Sequence, residues 1–348
     1  MSTTRIADDQ IHIPETPPIA GLRFRHYRGR ADHPAMAAVN TATRAANGMV
    51  EVTTSELFDN DYAHLVNCDL STDFVAAELH GELVGYLRLY WVDRNDGSRS
   101  FEGVCHLHPL ARRRGIGRAL LAWQLRRSAE LSAPLPADRP EISVAYAYGQ
   151  DAGARVLLEM AGFQVVRRSS ELIRDDLEDI PDLPLPEGFE VRPIDPTDVA
   201  LLRRVWDAGT EAFGEHWGES AAESSENQFQ GFIKSPECAP QLWQVAFHGD
   251  EVAGHILNYL DPPEADGSRT GWTESIGVRK PYRRRGLARA LLARSLLVVR
   301  DAGATRAALG VDAENANRAL DLYEGLGFRV IADQFEFHRP LDRGEANR

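Results

Sequence analysis

Apolar and polar positions in the second half of the chain fall into runs with two different periods. Stretches 241–247 and 252–259 are rich in apolar and β-branched residues and flank the turn His248, Gly249, Asp250, which predicts a hairpin. Residues 272–278 read as a further strand. From 287 to 300, apolar side chains at 287, 290, 291, 297 and 298 share one face of a helix. A strand over 307–311, a helix over 317–326 and a strand-like stretch over 328–337 follow. Upstream, a strand over 189–194 leads into helical patterns near 197–213 and 220–233. The first half repeats the order. An opening strand over 22–27 precedes hairpin strands over 74–79 and 83–92, a strand over 104–107 and a last helix near 151–161. The class this predicts is α+β, each half a mixed but mostly antiparallel sheet with helices on both faces.

The repetition extends to short motifs. LRFRHY at 22–27 and FEVRPI at 189–194 lie 167 residues apart, RRRGIG at 112–117 and RRRGLA at 283–288 lie 171 apart, and AGF at 161–163 and LGF at 326–328 lie 165 apart. Landmarks recurring in one order at nearly one spacing predict a tandem duplication. The expected organisation is a polar, proline-bearing loose tail over 1–18, one domain over 19–174, a second over 189–340 and a short tail over 341–348. Residues 175–188 between the domains are acidic and carry Pro181, Pro184 and Pro186, which suits a semi-extended linker.

Composition narrows the function classes. With 348 residues, 43% of them apolar, the chain can build two sizeable cores. A formal charge of −13 argues against nucleic-acid and anionic-membrane partners. Three cysteines, Cys68, Cys105 and Cys238, show no metal-ligand spacing, so no metal is expected and a reducing, cytoplasmic compartment is favoured. No apolar run reaches the length of a membrane-spanning helix.

The two arginine–glycine hexapeptides carry the chemistry. Each follows a predicted strand and opens a predicted helix. Glycine lets the backbone approach a ligand closely. The unpaired N–H groups and dipole of the helix start attract an anion. Adjacent arginines complement phosphate. The stretch is therefore built as a phosphate cradle.

An Arg-x-x-Gly-x-Gly/Ala stretch after a strand resembles the acetyl-CoA pyrophosphate loop of the GNAT acyltransferase superfamily. VDAENANRALDLYEGLGF at 311–328 resembles the second hallmark helix of that superfamily. The resemblance spans almost the whole chain, once per half, and is of the tandem, two-domain type. It implies a splayed sheet with the pantetheine arm of acetyl-CoA, the cosubstrate, between the fourth and fifth strands. It further implies that Arg283, Arg284, Arg285, Gly286, Leu287 and Ala288 wrap the pyrophosphate and that the backbone of Ile276, Gly277 and Val278 holds the pantetheine. The Val278 N–H would steady the thioester oxyanion. Tyr323 would hand a proton to the departing thiolate. Either Asn315 or Asn317 would cap the helix or touch pantetheine. Glu274, on the strand before the loop, is the candidate base. Regular alternation would point Glu274, Ile276 and Val278 the same way.

The halves differ. The first keeps a fair loop, Arg112, Arg113, Arg114, Gly115, Ile116 and Gly117, preceded by Leu107, as a candidate second coenzyme seat. Matching the closing glycine–phenylalanine turns puts Leu158 opposite Tyr323, and matching the hexapeptides puts Gly103 opposite Glu274. His106 and His108 read as structural or surface histidines. The second half is therefore the expected active domain, and the first is structural, regulatory or a degenerate coenzyme binder. Glutamates 211, 215, 219, 223 and 226 form a solvated acidic face or a wall suited to a cationic amine. The reading is an acetyl-CoA-dependent N-acetyltransferase acting on a small-molecule primary amine in a ternary complex. Its alternatives are acetylation of a protein N-terminus or lysine, and a non-catalytic coenzyme-responsive protein.

Overall fold

A computed structural model describes residues 9–213, 225–264, 266–313 and 319–344. The chain divides into two compact units, one of residues 1–167 with 334–348 and one of residues 168–333. Unit 1 contains strands β1 (Gln10–Ile11), β2 (Leu22–Arg25), β3 (Phe74–Leu79), β4 (Glu82–Asp93), β5 (Arg99–Leu107) and β6 (Glu141–Tyr148), with helices α1 (His33–Ala45), α2 (Ser55–Asp61), α3 (Ile116–Ser132) and α4 (Ala152–Met160). Unit 2 takes most of β7 (Gln164–Arg174), then β8 (Glu190–Val191), α5 (Val199–Phe213), α6 (Glu226–Lys234), β9 (Gln244–His248), β10 (Glu251–Leu260), β11 (Thr270–Val278), α7 (Leu287–Asp301), β12 (Arg306–Asp312), α8 (Ala319–Glu324) and the start of β13 (Arg329–Pro340).

Strand pairing follows the same plan in both units. In unit 1, β1 to β5 pair in sequence order, all antiparallel, and β6 joins β5 in parallel. In unit 2, β8 to β11 pair antiparallel and β12 joins β11 in parallel. The class is the expected mixed, mostly antiparallel α+β. The last strand of each unit comes from the other half of the sequence. Residues 334–340 of β13 pair antiparallel with β6, and residues 169–174 of β7 pair antiparallel with β12.

The division of the structure therefore differs from the boundaries read off the sequence. Residues 175–188 belong to unit 2 and are not a free linker. Leu177 is buried, and Ile180, Leu183 and Leu185 pack on the core of that unit. Residues 9–18 are not a loose tail either. Ile13 is buried in the core of unit 1, and Ile11 and Ile19 pack beside it. Three isoleucines supply apolar area that outweighs the polar composition around them. At the other end Leu341 also packs on that core, and Arg343 pairs with Glu141 at 2.6 Å.

Each sheet has an apolar layer on both faces. In unit 1, Val75, Leu87, Leu89 and Phe101 meet Ile116, Leu120 and Trp123 of α3, while Phe74 and Tyr86 meet Met36 and Val39 of α1 and Phe58 of α2. In unit 2, Leu287, Leu291, Leu292 and Leu296 of α7 cover one face, and Leu202, Val205 and Phe229 of α5 and α6 cover the other. Each fully buried leucine contributes about 1.5–3 kcal/mol, so these two layers fix where each sheet can open. The opening expected at 189–194 is shorter than expected, only Glu190–Val191.

Candidate active site

The candidate cleft of unit 2 begins where two parallel strands part. β11 and β12 pair at Thr270 with Arg306, Gly271 with Ala307 and Trp272 with Ala308, and no further. Past that point side chains answer the backbone. The Thr273 hydroxyl donates to the Ala308 carbonyl at 3.3 Å, and Glu274 Oε1 accepts the Gly310 N–H at 3.1 Å. The carboxylate thus satisfies an N–H that a regular ladder would have paired. A cleft of about 700 Å³ opens beyond it, lined by 274–278 on one side and Gly310, Val311 and Asp312 on the other.

β11 does not alternate regularly here. His255 faces Gly277 across the ladder but Leu257 faces Glu274, so β11 holds one residue more than β10 over this interval. This is a β-bulge, and Ser275 sits in it at φ 48°, left-handed for a residue that is not glycine. The expectation that Glu274, Ile276 and Val278 share a face by simple alternation fails at this bulge. Behind it lies His255, which the sequence did not single out. Its Nε2 is 3.3 Å from the Ser275 hydroxyl, and β-carbons on Gly277 or Gly209 would come within 3.0 and 3.3 Å of its ring. Burial lowers its pKa to about 4, so the ring is neutral. The glycines at 209 and 277 could have signalled this close packing; the bulge itself has no sequence mark.

The two arginine–glycine loops share several local features. Arg113 and Arg284 take φ 62° and 65°, Gly115 and Gly286 take 88° and 83°, and each glycine caps the helix that follows. Arg112 Nε donates to Leu107 O at 3.4 Å and Arg283 Nε to Val278 O at 2.9 Å. The surroundings differ. Among the described residues, a β-carbon on Gly286 would meet nothing within 4 Å, whereas one on Gly115 would lie 3.1 Å from Pro17 of the N-terminal segment. Arg112 is paired with Asp151 at 3.1 Å, and Arg113 packs against Gly153.

At the far wall of the unit 2 cleft, Tyr323 is buried on α8 and its ring meets Phe328 edge-on at 6.4 Å. Burial, and secondarily the Glu274 charge, push its pKa well above that of a free phenol. The hydroxyl therefore stays protonated. The Phe328 N–H donates to Tyr323 O at 3.1 Å, and the Phe163 N–H to Leu158 O at 3.0 Å, so Leu158 does occupy the place of Tyr323. The other pairing needs correction. In unit 1, β4 and β5 pair in one unbroken register, with Arg88 opposite Val104. In unit 2 Leu257 stands opposite Glu274. The residue in the place of Glu274 is therefore Val104, and Gly103 matches Thr273. The bulge in β11 accounts for the one-residue slip. Glu102 lies on the face of Tyr90 and Tyr146, both of which donate to it.

The structure brings Glu274, Ile276, Gly277, Val278, Arg283, Arg284, Gly286, Leu287, Ala288 and Tyr323 to one cleft. Arg285 turns away, its guanidinium over the rings of Phe189 at 5.7 Å and Tyr282 at 5.9 Å. Asn315 and Asn317 lie outside the described residues, as do Glu215, Glu219 and Glu223. Glu211 pairs with Arg279 and Glu226 with Arg203. In unit 1, Leu107, Arg112, Arg113, Gly115 and Gly117 line a cleft of about 400 Å³. Ile116 is instead fully buried in the core, and Arg114 is exposed away from the cleft. Among the described residues no cluster of side chains is arranged to hold a metal ion, and no helix is long and apolar enough to cross a membrane.

The acetyltransferase (GNAT) family profile matches residues 42–133 and 202–328. A mycothiol acetyltransferase of Kineococcus radiotolerans is 30% identical over 314 residues, 88% of this chain and 92% of that protein. One of Geodermatophilus obscurus is 28% identical over 271 residues, 77% of this chain and 82% of that protein. The crystal structure of a GCN5-related N-acetyltransferase from Sphaerobacter thermophilus matches with a TM-score of 0.68 and 27% identity over 94% of this chain and 97% of that one.

Proposed function

The chain belongs to the acetyltransferase (GNAT) family, and from that premise we propose that unit 2 moves the acetyl group of acetyl-CoA to the amine of a small molecule. One observation carries this reading: a carboxylate, a protonated buried phenol and an uncovered glycine loop at a helix start line one cleft. The loop N–H groups at the start of α7 suit the pyrophosphate. Among the described residues nothing crowds Gly286, so a ligand can approach its backbone closely. β11 pairs with β12 only as far as Trp272, which leaves the β12-side edge of residues 276–278 to face the cleft.

In the proposed reaction a neutral amine attacks the thioester carbonyl. The C–N bond forms, the C–S bond breaks, the amine proton passes to Glu274 and the departing thiolate takes the Tyr323 proton. The Val278 N–H steadies the oxyanion between the two steps. The relatives named for mycothiol acetylation support a small-molecule acceptor. Three free cysteines suit a reducing, cytoplasmic setting. Unit 1 keeps the loop but not the carboxylate or the phenol, so we assign it no turnover.

The test is acetyl-CoA with a panel of small amines and of peptides, followed by thiol release. Turnover of an amine that is lost in both Glu274→Gln and Tyr323→Phe supports the reading. Turnover of peptides alone refutes the acceptor class, and unchanged rates in both variants refute the site.

A further inference from the structure

The bulge in β11 lies between two groups that the proposed reaction needs in a fixed relation. Glu274, the base, precedes it, and the Val278 N–H, the oxyanion donor, follows it. The backbone angles at the bulge therefore set how the two face one another. Ser275 lines the cleft and holds the bulge at φ 48°. Such backbone is costly for a residue with a β-carbon and persists only where its surroundings over-determine it. Glycine would adopt the same angles freely. What serine adds to the strained position is a hydroxyl group.

His255 on β10 meets that hydroxyl. The ring is fully buried, and its Nε2 is 3.3 Å from Ser275 Oγ. Being neutral, it carries one proton. Its Nδ1 is buried and, among the described residues, has no partner. A buried N–H without an acceptor is rarer than a bare acceptor, which places the proton on Nε2 and makes Nε2 the donor to Ser275. The ring is clamped between α5 and β11. Gly209 and Gly277 leave it just enough room, since a β-carbon on either would lie within 3.3 and 3.0 Å of it. In unit 1 the same cross-strand pair is Tyr86 with His106, and the ladder runs on without a bulge. The glycine that admits His255, the histidine and the strained serine thus occur together, in unit 2.

We propose that His255 is a positioning residue: it anchors the Ser275 hydroxyl and so keeps the bulge in the left-handed form that sets Glu274 against the Val278 N–H. The ring acts through Ser275 and donates no proton to the acceptor or the thiolate. Its effect on rate rests on the reading that unit 2 transfers the acetyl group, whereas its hold on the Ser275 backbone does not.

The test uses the full-length protein in two measurements. Backbone chemical shifts at position 275, read by NMR against unfolded values, report whether the residue is left-handed or extended. Steady-state kinetics with acetyl-CoA and an accepted amine report kcat and KM separately. Ser275→Ala removes the hydroxyl alone, and His255→Leu removes the donor while filling much of its space. In both, the left-handed shifts at 275 should be lost. In both, kcat should fall by about tenfold, the scale of one hydrogen bond, while KM for acetyl-CoA stays nearly unchanged because the loop before α7 is untouched. His255→Gln, whose amide can still donate to the hydroxyl, should keep part of the rate. Ser275→Gly in the His255→Leu background should restore kcat, since glycine holds the bulge without an anchor. Ser275→Ala carries the test if His255→Leu fails to fold. Left-handed shifts that persist in Ser275→Ala overturn the role, and so does a kcat that Ser275→Gly fails to restore in a folded protein. If Glu274→Gln and Tyr323→Phe abolish turnover while Ser275→Ala leaves kcat intact, the active-site reading stands and the anchoring role falls. If no amine is turned over, that reading fails, and the shifts at 275 alone decide whether His255 holds the bulge.

Discussion

β4–β5 of unit 1 and β10–β11 of unit 2 are the same strand pair built twice, and they differ by one residue. β11 carries a bulge at Ser275 that β5 lacks. With that extra residue come a carboxylate at the mouth of the splay, a histidine wedged behind it and a phenol on the facing helix. Without it, unit 1 has an unbroken ladder, a valine and a leucine. The loops share the φ angles of their second arginine and of their glycine, so the loop backbone does not separate the units. A shared fold positions a site, and a few side chains around the splay decide what the site can do.

The largest expected effect falls on Tyr323. Tyr323→Phe keeps the buried ring and removes the hydroxyl, so turnover should fall by ~10²-fold or more with little change in melting. The mirror change, Leu158→Tyr, should confer no activity on unit 1, because Val104 supplies no base and β5 has no bulge. Steady-state rates and melting curves for both variants check this. Activity surviving Tyr323→Phe but lost in a unit 1 variant would place the chemistry in the wrong unit.

Next come the loop glycines. Both have φ above 80°, where a β-carbon costs roughly 1–2 kcal/mol. Gly286→Ala should raise KM for acetyl-CoA about tenfold, the worth of one charge-assisted hydrogen bond, and leave kcat nearly unchanged. Gly115→Ala should leave KM alone and lower the melting temperature more, since its β-carbon would press on Pro17 at 3.1 Å. Equal effects on KM would show that both loops serve the same coenzyme.

Much of this contrast was legible in the residues. The repeats, the hairpins over 74–92 and 241–259, the helix from 287, and the pairing of Leu158 with Tyr323 follow from periodicity and spacing, which local sequence encodes. Three features do not. The Ser275 bulge is a property of two strands in register, and serine carries no mark of φ 48°. The exchange of last strands depends on long-range pairing of 334–340 with β6, to which the local pattern at 328–337 is blind. Docking of 9–18 turns on Ile11, Ile13 and Ile19, outvoted in the sequence by prolines and charges around them.

A smaller effect concerns acid. His255 and His106 are held to about 4 and about 3, below the ordinary 6.5, chiefly by burial. The folded values lie below the unfolded one, so the unfolded chain takes up protons first as pH falls. Their stabilisation is fully present above pH 6.5 and is lost as pH drops towards the folded values. Each should contribute a slope of up to about 1.4 kcal/mol per pH unit in that window. Denaturant midpoints from pH 7 to 4.5 should fall less steeply in His255→Gln and in His106→Gln. An unchanged slope in one variant would mean that its histidine takes up its proton over the same pH range in the fold as in the unfolded chain, and the two units would differ there too.

The smallest effect tests how the N-terminal segment stays over the unit 1 loop, a cover that Gly286 lacks among the described residues. Both Arg126–Glu15 contacts are short, 2.8 and 2.9 Å, yet both side chains keep access to water. Exposed pairs of this kind contribute about 0.5 kcal/mol at most and are screened by salt. Ile13, by contrast, is 1% exposed within the core, so burial should hold the segment. Glu15→Gln should then lower the melting temperature by no more than about 2 °C, the scale for 0.5 kcal/mol in a domain of this size. The difference should vanish at high salt, and Gly115→Ala should remain as damaging in the Glu15→Gln background as alone. If Glu15→Gln instead relieved the cost of Gly115→Ala, the ion pair would be what presses Pro17 onto the loop, and the cover over unit 1 would be electrostatic.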